Sequence, residues 1–218
     1  MQCGTQAGAM IRHVMGTLRN AVAEQFRVRA VTMRLMGTPR IHMDSVGLLV
    51  VDVQERLLPH ICNHEQVVAQ TGKLIDGFAA LERPMLVTEQ YRRGLGVTVP
   101  ELQVRLARAE CNIEKLQFSA CVEPILKKII DMNLRSVVLA GIEMHVCVMQ
   151  TALDLLDRGL QVGLAVDACG SRRQNDADTA VMRMVQAGVL PMTVESCLLE
   201  MVKIAGSGQF KSVLPIIK

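Results

Sequence analysis

Three residues of this sequence have side chains that could together perform covalent chemistry: Asp52, Lys115 and Cys147. Asp52 interrupts an apolar, strand-like run and Lys115 lies between apolar residues, so each charge needs a partner if it is buried. Cys147 follows Gly141 in a segment whose pattern predicts a strand, a tight glycine turn and a helix. A thiol near the first turn of a helix lies close to unpaired N–H groups and to the positive end of the helix dipole, which favour the thiolate. A nucleophile, a base and a charged orienting group are the components of covalent catalysis.

Each of these residues also has an ordinary structural explanation. They could be a solvated aspartate at a strand end, a surface lysine and a small apolar cysteine on the buried face of a helix. The predicted elements favour the catalytic interpretation, because all three residues lie near the C-terminal ends of predicted strands. In an open α/β sheet those ends open onto one crevice, where ligands bind.

Strand and helix signals alternate along the body of the chain and predict a mainly parallel sheet covered on both faces. The predicted strands are 46–53, 85–88, 111–115, 136–140, 161–166 and 190–194. Four predicted helices span 65–81, 122–132, 175–187 and 196–204. A short helix begins with a capping box at 98–101 and ends at 107, and another begins near Cys147 and ends at 158–159. Right-handed crossovers then produce an α/β fold, a doubly wound three-layer α-β-α sandwich.

Residues 46–204 resemble the isochorismatase-like cysteine hydrolases, a superfamily that includes nicotinamidase and N-carbamoylsarcosine amidase. The matching segments occur in the order and at the spacing of that family, and they are LVVDVQ (49–54), VTEQY (87–91), EKLQFS (114–119) and GIEMHVCV (141–148). The resemblance is greatest to the metal-free isochorismatase domain-containing proteins of unassigned substrate. It implies a six-stranded sheet with the strand order 3-2-1-4-5-6.

The resemblance also implies a role for each residue of the candidate site. Cys147 would be the nucleophile and Asp52 the general base, while Lys115 would keep Asp52 ionised and lower the thiol pKa. The backbone N–H groups of Glu143 and Cys147 would bind the oxyanion. A cis peptide bond between Ile142 and Glu143 would turn the Glu143 N–H toward that of Cys147.

The predicted lining of the substrate pocket is Gln54, Tyr91 and Phe118, although Phe118 could equally be a core residue. The nicotinamidase branch has an Asp-x-His…His metal site after strand 2, whereas segment 89–96 of this chain contains no histidine. We therefore expect neither a metal nor a cofactor. The predicted function is metal-independent hydrolysis of a small amide, ureido or related acyl compound through a covalent Cys147 intermediate. The alternative is a non-catalytic oligomeric scaffold or a small-molecule binding protein on the same fold.

Composition favours one enzyme-sized domain with an aliphatic core. The chain has 218 residues and is 50% hydrophobic, with one Tyr, four Phe, no Trp and fourteen Met. Its seven cysteines are scattered and form no C-x-x-C pair, which argues against a disulfide framework and indicates a reducing compartment. No apolar run reaches the roughly 18 residues of a membrane span. We expect a homo-oligomer that acts on a small molecule and contacts neither nucleic acid nor membrane.

The N-terminal segment differs from the rest in charge. Residues 1–43 contain six Arg, no Lys and one acid, Glu24, whereas the remaining residues carry a small net negative charge. This composition predicts a mitochondrial transit peptide; the alternatives are a plain extension or a misassigned start, with Met43 as the true initiator. We therefore expect a cytoplasmic or mitochondrial location. We therefore divide the chain into a basic extension, 1–44, and a hydrolase domain, 45–218. Helical docking of the extension on the body is an alternative, supported by the apolar spacing of Ile11, Val14, Met15 and Leu18.

Overall fold

The computed structural model describes residues 38–218, in which six parallel strands form one sheet. The strands are β1 (Val46–Val51), β2 (Met85–Gln90), β3 (Cys111–Lys115), β4 (Ser136–Ile142), β5 (Gln161–Gly170) and β6 (Leu190–Met192). Their order in the sheet is β3-β2-β1-β4-β5-β6, and every pair of neighbours is parallel. The predicted fold class and strand order are therefore confirmed.

Helices occupy the connections between the strands and the segment after β6. These are α1 (His64–Ala80), α2 (Arg92–Leu95), α3 (Pro100–Gln103), α4 (Glu123–Asp131), α5 (Met149–Asp157), α6 (Gln174–Ala187), α7 (Val194–Val202) and α8 (Gly208–Ile217). Short 3-10 turns occupy Met43–Ser45, Leu58–His60 and Arg105–Arg108, and a π-helical turn occupies Met144–Val148. Within residues 38–218, none of the helices has the length and apolarity needed to cross a membrane.

The core consists of two apolar clusters, one on each face of the sheet. Helices α1, α7 and α8 contribute to one cluster, and α4, α5 and α6 contribute to the other. The central strand β1 supplies both clusters, because its side chains alternate between the two faces. Leu48 and Val50 belong to the first cluster, whereas Leu49 and Val51 belong to the second. Burial on both faces explains why this strand is a continuous apolar run.

Residues 1–37 of the basic extension, which include Ile11, Val14, Met15 and Leu18, lie outside the described residues. Residues Arg40–Lys218 form a compact unit. Ile41 is fully buried in the first apolar cluster, and its N–H donates to Glu200 Oε1 at 2.8 Å. Part of the sequence that we assigned to the extension therefore belongs to the core of the body.

Several element boundaries differ from the sequence prediction for local reasons. The predicted capping box at Thr98 is wrong: α3 follows Val99 without a side-chain cap, and Thr98 instead donates its N–H and hydroxyl to Glu89 Oε1, both at 2.7 Å. Helix α8 was not predicted from the sequence. The Ser207 hydroxyl in fact accepts from the Phe210 N–H and begins a helix.

Candidate active site

Asp52, Lys115 and Cys147 meet at the C-terminal edge of the sheet. Asp52 directly follows β1, Lys115 is the last residue of β3, and Cys147 lies in the π-helical turn after β4. Lys115 Nζ is 2.6 Å from Asp52 Oδ2, and the Cys147 thiol is hydrogen-bonded to the same carboxylate. All three residues are at most 5% exposed. Local patterns and family resemblance thus selected three residues that the fold brings into contact.

The Asp52 carboxylate is held by contacts from strands on one side of β1. Thr88, in β2, donates its hydroxyl to Asp52 Oδ1 at 2.9 Å, and its carbonyl accepts from the Asp52 N–H at 3.0 Å. Asp52 itself adopts a left-handed conformation with φ 55°, which ends β1 two residues before the predicted boundary. Aspartate is one of the few non-glycine residues that adopt this conformation readily. The conformation turns the chain so that the carboxylate faces Lys115.

The Lys115 ammonium is buried and fully surrounded by acceptors. Besides Asp52 it contacts Gln90 Oε1 at 2.7 Å, the Gln117 carbonyl at 3.2 Å and the Phe118 carbonyl at 2.9 Å. Because β2 lies between β1 and β3, the lysine side chain reaches across the end of β2, where Gln90 is the last residue. A buried cation is tolerated only with such pairing.

The titration of the site differs from the sequence prediction. Burial raises the pKa of Cys147 to about 12, and the Asp52 charge adds to this effect, while Lys115 and the Glu143 N–H oppose it. The predicted lowering of the thiol pKa is therefore wrong, because burial outweighs both the ammonium and the start of the helix. Burial also raises the pKa of Asp52, against the opposing charge and hydrogen bond of Lys115. The resting site therefore holds a neutral thiol that is hydrogen-bonded to Asp52.

The chain between β4 and Cys147 has an unusual backbone. The Ile142–Glu143 peptide bond is cis, which is the conformation that the resemblance implies. The Glu143 N–H is directed at the Cys147 sulfur. Gly141, with φ 126°, has no room for a side chain, because a Cβ there would lie 2.0 Å from the Val51 carbonyl oxygen. Only glycine allows β4 to pass so close to β1 at this point.

Two residues after β5 hold the same turn from the other side. Ser171 is fully buried, and its hydroxyl lies 2.9 Å from His145 Nδ1. The neighbouring Arg172 donates from Nε to Glu143 Oε1 at 2.8 Å. Sequence reasoning did not select Ser171 or Arg172, since β5 was predicted to end at 166, whereas it extends to Gly170.

The three predicted pocket residues have different surroundings. Gln54 is fully buried: Nε2 donates to the carbonyls of Gln90 at 2.9 Å and Gly96 at 2.7 Å, and Oε1 accepts from the Gln90 N–H at 2.7 Å. Its amide therefore holds the loop after β2 and is not free to bind a ligand. Tyr91 and Phe118 are 47% and 55% exposed. The alternative assignment of Phe118 to the core is wrong.

The segment after β2 is organised around a carboxylate. Glu89 is 1% exposed and forms an ion pair with Arg92 as well as its bonds to Thr98. Although burial by itself raises the Glu89 pKa, hydrogen bonds from Thr98, Asn112 and Arg92 bring it below its ordinary value. Within residues 38–218, no group of three or more His, Cys, Asp or Glu side chains is arranged to hold a metal ion.

The parallel sheet, its strand order and the site at its C-terminal edge define a hydrolase-type α/β fold. The isochorismatase domain family matches residues 46–196, and the chain belongs to this family. It is 43% identical to isochorismatase domain-containing protein 2A of Mus musculus over 181 residues, which cover 82% of this chain and 85% of that protein.

Two solved structures show the same fold. A Caenorhabditis elegans protein described as MAR1 ribonuclease has a TM-score of 0.78 and 39% identity, covering 82% of this chain and 92% of that one. The Escherichia coli YcaC gene product, described as an octameric hydrolase of unknown specificity, has a TM-score of 0.73 and 23% identity. That match covers 82% of this chain and 93% of the YcaC chain.

Proposed function

We propose that the protein is a metal-independent cysteine hydrolase of a small amide, ureido or related acyl compound. The observation that supports this most strongly is the Asp52 carboxylate, which contacts both the Cys147 thiol and the Lys115 ammonium in a buried site. A scaffold or binding protein on this fold would have no need of an ion pair buried against a thiol, because burying charges is costly.

The geometry supports a two-step acyl transfer. Asp52 takes the thiol proton as the sulfur bonds to the carbonyl carbon and the π electrons move to the carbonyl oxygen. The intermediate collapses, and the leaving amine takes that proton from Asp52, which leaves a thioester on Cys147. Asp52 then takes a proton from the water that attacks the thioester, and the released thiol regains it. A general base of this kind contributes about 10²–10⁴ in rate.

The remaining roles follow from the positions of the donors. The N–H groups of Glu143 and Cys147 would bind the oxyanion, where one such donor is worth about 10²–10³ in rate. Lys115 would stabilise the ionised form of Asp52, whose pKa is already raised by burial and is therefore suited to a base. Tyr91 and Phe118 would form the pocket rim. The family's name describes cleavage of a vinyl ether, and a shared fold does not select between that reaction and acyl hydrolysis.

Ribonuclease activity is a second candidate, because the Caenorhabditis elegans neighbour is described as a ribonuclease. The charge distribution of this site is less suited to binding and cleaving a phosphodiester than to binding a neutral amide. The Lys115 side chain is 0% exposed and is bound to Asp52, so it is not available to a phosphate. Incubation of the protein with RNA, with Cys147→Ser and Asp52→Asn as controls, distinguishes the two candidates. Degradation that is lost in both variants would favour the second.

The experiment for the first candidate is turnover of a panel of primary amides and ureides. Asp52→Asn keeps the shape of the side chain and removes the base, so turnover should fall by about 10²-fold or more. Cys147→Ser should abolish the thioester, which mass spectrometry detects as an acyl adduct on the unchanged protein. Full turnover by Asp52→Asn would contradict the mechanism.

Iodoacetamide provides a test that needs no substrate. In the unchanged protein, the alkylation rate of Cys147 should level off once Asp52 is ionised. In Asp52→Asn it should keep rising with pH, because ionisation of the Cys147 thiol itself then controls the rate. The exposed Cys62 serves as an internal reference in the same sample.

We also propose that the body of the chain is one hydrolase domain preceded by a targeting or extension segment, and that it forms a homo-oligomer. The octameric Escherichia coli neighbour is consistent with oligomerisation on this fold. Light scattering after size-exclusion chromatography measures the mass of the assembly, and a monomer at micromolar concentration would contradict the proposal.

A further inference from the structure

We propose that Thr151 is a positioning residue, which keeps the Cys147 nucleophile in register with the loop that holds Lys115. This inference rests on the proposed function, because it assigns Thr151 a task within the same site. Thr151 is fully buried in α5, one helical turn after Cys147.

The Thr151 hydroxyl makes two hydrogen bonds to different parts of the site. It donates to the Cys147 carbonyl at 2.6 Å and accepts from the Ala120 N–H at 2.8 Å. The first bond is common, since a threonine within a helix often donates to the carbonyl four residues earlier. The second is not local: Ala120 lies 31 residues earlier, in the loop between β3 and α4.

That loop also binds the ammonium of the site. Lys115 Nζ donates to the carbonyls of Gln117 and Phe118, at 3.2 and 2.9 Å. Ala120 follows two residues later and is fully buried. The Thr151 hydroxyl therefore connects the backbone of the nucleophile to the backbone that orients Lys115, and through Lys115 to Asp52.

Loss of this hydroxyl has a directional consequence. The buried Ala120 N–H loses its acceptor, and an unpaired buried donor is unfavourable enough to displace the loop. A displaced loop moves the Gln117 and Phe118 carbonyls, and with them the Lys115–Asp52 pair, away from the thiol. A shift of about 1 Å between reacting groups can cost about 10²-fold in rate. The reaction at Cys147 should slow without a change at the exposed Cys62; Cys121 is no reference, because it follows Ala120 in the loop and its thiol donates to the Thr151 carbonyl.

The test compares Thr151→Val, which is close in shape and lacks the hydroxyl, with Thr151→Ser, which retains it. The alkylation rate of each cysteine by iodoacetamide is measured by peptide mapping between pH 5 and 9, on protein shown by circular dichroism to be folded. We expect Thr151→Val to lower the Cys147 rate by about 10- to 100-fold. Its pH profile should also lose the plateau set by Asp52. Thr151→Ser should restore both, with Cys62 unchanged throughout.

Three results would overturn the inference. The first is a Thr151→Val variant with the same Cys147 alkylation rate and pH profile as the unchanged protein, and the second is an equal loss of rate in Thr151→Ser. The third is faster labelling of the other buried cysteines, which would indicate that the whole fold has loosened. Failure of the proposed function has a separate signature. In that case Asp52→Asn leaves the Cys147 rate and pH profile as they are in the unchanged protein.

Discussion

Replacement of Lys115 by methionine tests the buried ion pair, because methionine has a similar length and lacks the charge and the donors. The side chains of Lys115 and Asp52 are both 0% exposed and are joined at 2.6 Å. Removing one partner of such a pair costs about 3–5 kcal/mol of folding free energy. The ammonium also donates hydrogen bonds to Gln90 Oε1 and to two backbone carbonyls. We therefore expect a loss near the upper end of that range.

The loss should depend on pH in a defined direction. Burial already raises the Asp52 pKa above 3.8 and Lys115 opposes the rise, so the pKa in Lys115→Met should rise further. The folded state then holds its proton more tightly than the unfolded state does. Below about pH 4, the pKa of the unfolded state, such a carboxyl does not destabilise the fold. As the pH rises from there toward the pKa of the folded state, the free energy of unfolding falls progressively. Lys115→Met should thus be closest to the unchanged protein at the lowest pH.

Urea unfolding at several pH values between 4.5 and 8 measures these effects, with the double variant Asp52→Asn/Lys115→Met as the matched control. The double variant has no buried charge at this position and should recover most of the loss at neutral pH. The acceptors left unpaired should retain a cost of about 1–3 kcal/mol. A Lys115→Met variant as stable as the unchanged protein, or a double variant that loses the sum of the single losses, would refute the reasoning.

Three further outcomes follow from the structure. Gly141→Ala should lower the free energy of unfolding, measured in urea, by more than about 4 kcal/mol, because its Cβ would meet the Val51 carbonyl. The control Gly188→Ala also has a positive φ, 114°, but no atom lies within 4 Å of its Cβ, so the loss should be only about 1–3 kcal/mol. Equal losses of stability in the two variants would show that the positive φ, and not the contact with the Val51 carbonyl, causes the effect. A shortened protein beginning at Met43 lacks the buried Ile41 and should be about 1.5–3 kcal/mol less stable than one that retains residues 40–42; identical unfolding midpoints would exclude a core role for Ile41. Chelators should leave turnover unchanged, and inhibition reversed specifically by zinc would show a metal requirement.

The parts of the fold that were predictable have strong local signals. Buried parallel strands are continuous apolar runs, and the helices between them show apolar periodicity, so the alternation of elements was readable. Asp52 and Lys115 stood out because each places a charge in an apolar context. Gly141 and Cys147 stood out because a glycine turn joins a strand to a helix there.

The parts that were not predictable depend on tertiary contacts. The thiol pKa was misjudged because the start of a helix is visible in a sequence, whereas burial beside a carboxylate is not. Gln54 belongs to a motif segment, yet its amide binds the backbone of Gln90 and Gly96, contacts that only the folded loop reveals. Thr98 has the spacing of a helix cap, but a buried glutamate competes successfully for its donors.

The raised pKa of Cys147, about 12, has a consequence for the chemical durability of the protein. Peroxides and stray electrophiles attack thiolates, and a buried, protonated sulfur presents them with almost none. Among the cysteines of residues 38–218, the exposed Cys62 is therefore the one most at risk of oxidative damage, while the sulfur at the sheet edge is buried. In the proposed mechanism, a carboxylate that removes the proton only when an acyl group is in place would keep this nucleophile unreactive toward other electrophiles.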